Sequence, residues 1–139
     1  MLSPFHRVDL LHDGRVIRVQ RSERPYPGAA ELNQERLLLG EALDRLGRAG
    51  RGLLIDSRVA PSSTDERLKE EFRRFRVDVS RGFDRVAALV RTKVGILQVN
   101  RLVADAISNV QAFDSEAAAI AYLLGTPAPI TPLGTTRPR

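Results

Sequence analysis

Gly52-Leu53-Leu54-Ile55-Asp56 and Val86-Ala87-Ala88-Leu89-Val90 decide the fold. Each is a short apolar run set off by glycine or charged residues, the pattern of a buried strand. Between them Leu68, Phe72, Phe75 and Val79 recur at spacings of 4, 3 and 4, the stripe of an amphipathic helix that Gly82 ends. Strand, helix and strand in that order form the unit of a parallel sheet, because parallel neighbours require a long crossover.

Toward the N-terminus, Leu32, Leu39, Leu43 and Leu46 predict another helix, its stripe widened by Leu38 and Ala42. Glu31, Glu35, Glu41 and Asp44 fall mostly on its other side, and Gly47 and Gly50 stop it. Before it, Val8, Leu10 and His12 alternate with Asp9 and Leu11, and Asp13-Gly14 reads as the two-residue turn of a hairpin. The return strand is Arg15 to Arg21, with Ile17 and Val19 on one face and Val16 beside Arg18 on the other. That segment is expected as an exposed edge, where a second copy would pair to give a homodimer or where its arginines would block pairing.

Toward the C-terminus, Ser63, Thr64 or Asp65 caps the helix of the Phe72 stripe. A further helix runs from about Lys93 to Ile107, with Ile96, Val99, Val103 and Ile107 on one face. Asn109 to Phe113 is a short strand, and Asp114-Ser115 caps a last helix that Gly125 closes. The order is ββαβαβαβα. It predicts an α/β fold with a mixed, mostly parallel five-stranded sheet, an N-terminal β-hairpin and four helices. Residues 1–125 form one domain, and 126–139 a Pro/Thr-rich flexible tail.

The chain has 139 residues, is 42% hydrophobic and 28% charged, and carries 22 basic against 17 acidic residues. Setting aside Arg137 and Arg139 in the tail leaves 20 against 17, a net +3 that is too small for a nucleic-acid binder's basic stripe. Lys69 and Lys93 are the only lysines, so an arginine preference rather than a large net charge sets the high pI. No apolar window reaches a membrane span, and no secretory signal is read at the start, so a soluble cytoplasmic protein is expected.

Cysteine is absent and the histidines are His6 and His12, which removes thiol chemistry and most metal sites. No nucleophile elbow or His-Glu-x-x-His motif occurs. Gly47-Arg48-Ala49-Gly50-Arg51-Gly52 follows a helix and precedes a strand, the reverse of a dinucleotide fingerprint. The reading is therefore non-enzymatic, with no metal and no cofactor. In open α/β sheets ligands sit beyond the carboxyl ends of the strands. Those ends present Asp56, Ser57 and Arg58, and Arg91, Thr92 and Lys93 at a helix start. They are the candidate partner- or anion-binding surface, and a solvated rim is the plainer alternative. Phe72, Phe75 and Val79 read as core first and as a lipid pocket second, while Arg73, Arg74, Arg76 and Arg81 read as the opposite, basic face of their helix.

This order resembles the STAS family, with its SpoIIAA-like anti-sigma-factor antagonists and the similar CRAL-TRIO lipid-carrier domains. The likeness rests on Gly52 to Arg58, on Arg85 to Arg91, and on the segment from Val110 through Phe113-Asp114 into alanine-rich Glu116 to Ala118. It implies a regulatory protein–protein interaction module whose partner is a kinase or anti-sigma-type protein. It also implies phosphorylation at Ser62 or Ser63, a stretch that reads equally as an ordinary helix cap. The alternative it implies is a small-molecule or lipid carrier.

Overall fold

A computed structural model describes residues 2–61, 66–97 and 110–125. It has the expected element order: β1 (His6–Leu11), β2 (Val16–Arg21), α1 (Ala29–Leu46), β3 (Gly52–Asp56), a 3-10 turn (Glu66–Leu68) leading into α2 (Lys69–Ser80), and β4 (Arg85–Leu89). Helix α3 is described over 93–97, followed by β5 (Val110–Phe113) and α4 (Glu116–Leu124). The sheet runs β1-β2-β3-β4-β5, with β1 antiparallel to β2 and the remaining pairs parallel.

Chain handedness places the layers. The crossovers from β2 to β3 and from β3 to β4 advance in the same direction, so right-handed connections put α1 and α2 on one face. There they pack against each other and close over Ile17, Val19, Leu53 and Val86. Helix α4 follows the last strand and turns back over the other face, against β3, β4 and β5. Val16, Leu54, Ala87 and Leu89 meet Ala119 and Leu123 there. Ser115 caps α4 by accepting a hydrogen bond from the Ala118 amide at 3.3 Å, and Gly125 ends it in the left-handed conformation at φ 71°.

The hairpin departs from expectation. Leu11 pairs with Val16, so the loop is His12–Arg15 rather than a two-residue Asp13-Gly14 turn. Leu11 accepts from the Gly14 amide at 3.1 Å, and His12, Asp13 and Gly14 all have positive φ. Asp and His tolerate that region better than most side chains, which lets the turn start one residue early. Nor is Arg15 to Arg21 an edge: β2 lies between β1 and β3, and β1 is the edge on that side.

On α1 the apolar stripe is narrower than its leucines suggest. Leu38 and Leu46 are exposed, whereas Glu35, expected among the solvated acids, is buried. Arg48, just past α1, is also buried. Its Nη1 donates to the carbonyls of Asp78, Val79 and Arg81 at 2.8, 3.1 and 2.8 Å, and its Nε donates to Asp44 at 2.7 Å. One guanidinium thus satisfies the free carbonyls at the end of α2 and ties that helix to α1. The expected helix residues Val99, Val103 and Ile107 lie outside the described residues, as does the 126–139 tail.

Gly52 shows how closely α4 sits. A Cβ there would lie 3.0 Å from the Leu123 Cβ, so the first residue of β3 has no room for a side chain. Gly52→Ala is predicted to cost about 1–3 kcal/mol by overpacking. Combined with Leu123→Ala, it should cost clearly less than the two single changes added together. Urea titrations of the four proteins check this, and strict additivity would contradict the contact.

Candidate functional site

The residues singled out at the strand ends divide between the two faces of the sheet. Asp56 closes β3 on the α4 face and is 2% exposed. Arg18 projects from β2 to the same face, two positions away across the ladder, where Leu54 is its direct partner. The Asp56 carboxylate accepts from Arg18 Nη2 at 2.9 Å, from Arg58 Nε and Nη2 at 3.0 and 2.9 Å, and from the Arg58 amide at 3.1 Å. Arg58 also donates to Glu116, at the start of α4, at 3.0 Å. Burial alone would raise the carboxyl pKa of Asp56. The hydrogen bonds from Arg58 and Arg18 outweigh it and hold the group below its usual range.

Around this cluster, Arg91 Nη1 donates to the Arg58 carbonyl at 3.1 Å, and Lys93 Nζ lies 3.6 Å from an Asp114 oxygen. Thr92 Oγ1 accepts from the Gly95 amide at 3.0 Å and so caps α3. Arg91, Thr92 and Lys93 are exposed, as are Val94 and Leu97 just after them in the chain and Val59 next to Arg58. Ser57 belongs to the other face. Ser62 and Ser63 lie outside the described residues.

That other face contains a cavity of about 350 Å³ between the sheet and the α1–α2 layer. Val19, Ile55, Ala88, Val90 and Val110 line its sheet side, and Leu39, Phe72, Phe75 and Val79 its helix side. Ser57, Ala60, Ser80 and Ala88 contribute small side chains to this lining. Most of the wall is apolar. The polar exceptions include His6, Arg21, Tyr26 and Arg76, and the lining carries no Asp or Glu among the described residues.

Local contacts fix these polar groups. Glu35 accepts hydrogen bonds from Ser3 Oγ at 2.6 Å and from His6 Nδ1. The His6 ring stacks on Phe75 with centroids 5.6 Å apart. Burial would push the Glu35 carboxyl up, but the hydrogen bonds from His6 and Ser3, with Arg21 nearby, hold it below its ordinary value. Arg21 lies 4.2 Å over the Tyr26 ring and donates to the Ser22 carbonyl at 2.7 Å. Burial lowers the Arg21 pKa, with Tyr26 and Glu35 opposing, and pushes the Tyr26 phenol up to about 12.

Arg76 corrects the expectation for its helix. Arg73 and Arg74 reach Glu70, and Arg81 reaches Asp44, on the outer surface. Arg76 instead lines the cavity, half-buried, and has no hydrogen-bond or ion-pair partner among the described residues. The signal was present in the spacing: residue 76 follows Phe72 by four, which places both on one helix face. His6, Arg21 and Tyr26 lie in no motif, and only the tertiary structure brings them together. Among the described residues, no cluster of His, Asp and Glu is arranged to hold a metal ion.

The strand-end network has a measurable acid signature. Asp56 and Glu35 hold protons less readily when folded than when unfolded, so their stabilisation is complete above the unfolded values of about 3.9 and 4.3. It is lost as the pH falls through their lower folded values. Asp56→Asn should cost about 2–3 kcal/mol at neutral pH, less than a fully buried pair because Arg58 is partly solvated. It should also flatten the fall in stability below about pH 4. Urea melts across a pH series test both, and an unchanged acid slope would remove Asp56 from this role.

No family model matches the chain, and no curated protein matches it. Among solved structures, it is similar to an uncharacterized protein from Shewanella loihica PV-4, of the DUF3478 family with a SpoIIAA-like fold. The two superpose with a TM-score of 0.61 at 16% sequence identity, over 88% of this chain and 98% of that one. What the two share is architecture: the chain has a SpoIIAA-like α/β fold.

Proposed function

We propose that this chain is a non-enzymatic binding module that holds an amphipathic small molecule in the cavity between its sheet and the α1–α2 layer. The observation that carries the reading is the cavity itself, about 350 Å³ with mostly apolar walls. It falls in the size range of small-molecule sites, which are likewise lined chiefly by apolar side chains with a few placed polar groups. At the ~30 Å³ a water molecule occupies in the liquid, the space takes about a dozen heavy atoms. Transfer of an alkyl or aryl body from water onto Phe72, Phe75, Val79 and Val110 provides the driving force, at about 25 cal/mol per Å² of apolar surface buried. SpoIIAA-like architecture is consistent with a regulatory module of this kind, in which ligand occupancy is the regulated variable.

A second reading concerns the strand-end rim. Val59, Val94 and Leu97 are at least half exposed, close in sequence to Arg58, Arg91 and Lys93. Apolar side chains beside cations suit a docked regulatory protein, and phosphorylation at Ser62 or Ser63 would change the charge of that rim.

Native mass spectrometry of protein purified without denaturant separates the two. The cavity reading predicts a retained small-molecule mass, or a rise in Tm when decanoate or decanol is added. It also predicts that Ala88→Leu, which adds three carbons to the sheet side of the cavity, reduces this rise without lowering the Tm of the free protein. A bare chain that neither alkyl compound stabilises would reject the cavity reading. A co-purifying protein lost on Leu97→Asp would favour the rim.

A further inference from the structure

Resting on the cavity reading, we propose that the ligand is a single-chain alkyl carboxylate whose head group is received by Arg76. The charge inventory points there. Arg73, Arg74, Arg36 and Arg81 each have a carboxylate partner in the chain, whereas Arg76 has none among the described residues. Arg21, the other arginine of the lining, is held by Tyr26 and the Ser22 carbonyl. Glu35, which bonds to His6 of the lining, is taken up by His6 and Ser3. A half-buried guanidinium facing an apolar space has lost part of its hydration without gaining a partner, and a bound anion restores what was lost.

The same inventory selects the anion. One unpaired guanidinium balances one negative charge, and its planar fork matches a carboxylate through paired N–H···O bonds. The apolar remainder of the lining excludes a sugar or a polar metabolite as the body of the ligand. A dianionic phosphate monoester would bring a second charge for which the lining offers Arg21, a guanidinium already laid over the Tyr26 ring and donating to the Ser22 carbonyl.

Calorimetric titration with decanoate, decanol and decyl phosphate, against the wild-type chain and Arg76→Met, tests the assignment. Decanoate should bind the wild type about tenfold or more tightly than decanol, the effect of a charge-assisted hydrogen bond. Arg76→Met should remove that preference, leave decanol affinity unchanged, and leave the Tm of the free protein unchanged or higher. Equal binding of decanoate and decanol by the wild type would overturn the assignment to Arg76 while leaving the cavity reading intact, as would an equal loss of both in the variant. Tighter binding of decyl phosphate than decanoate would overturn the carboxylate class. Binding of none of the three would overturn the cavity reading and this inference together.

Discussion

Strand β3 is buried on both faces, and its period of two divides the molecule. Leu53 and Ile55 look toward α1 and α2, while Gly52, Leu54 and Asp56 look toward α4. A shift of one residue would carry the Asp56 carboxylate into the apolar α1–α2 layer and press a leucine onto the spot where Leu123 meets Gly52. Register in the flanking strands follows, because Arg18 must reach Asp56 across the ladder and Val86 must sit beside Leu53. The two faces then take different roles. One is closed by α4 and pinned by ions at its end; the other holds a mostly apolar cavity among the described residues.

Charge is handled differently on those two faces. On the α4 side, Asp56, Arg18, Arg58 and Glu116 neutralise one another in a network that links β2, β3 and α4. On the other side, Glu35 has His6 and Ser3 as partners, whereas Arg76 has no partner among the described residues. The arginine preference of the chain has physical content here. Arg48 serves several carbonyls and Asp44 at once, with a planar fork of donors that a lysine does not have. Part of the basic charge counted in the sequence is thus engaged inside the fold, while Arg76 keeps a cation at the cavity with no carboxylate partner among the described residues.

The architecture was legible because short apolar runs and amphipathic stripes alternate cleanly along the chain. The Leu53 and Val86 runs and the Phe72 stripe each report a burial pattern that the backbone period imposes. The hairpin turn was misplaced because Asp13-Gly14 is a strong local signal, whereas the ladder register is set by pairing along the whole of β1 and β2. Polarity alone places Glu35 and Arg76 in solvent. That rule fails where a buried carboxylate has His6 and Ser3 as partners, or where a cation borders a void. The void could not be read at all. Its lining is drawn from β1 to β5 and from α1 and α2, an assembly that no local pattern encodes. Asp56 and Arg58 stand out in the sequence only as neighbours at a strand end, and the structure adds that they pair with each other.

Methyl-resolved NMR during a decanoate titration tests the central claim most directly, because the two faces carry separate sets of methyl groups. The account predicts shift changes concentrated at Val19, Ile55, Val79 and Val110, with Val16, Leu54, Leu89 and Leu123 little affected. Changes centred on the α4 face or on Val59, Val94 and Leu97, or no changes at any concentration below micelle formation, would contradict it.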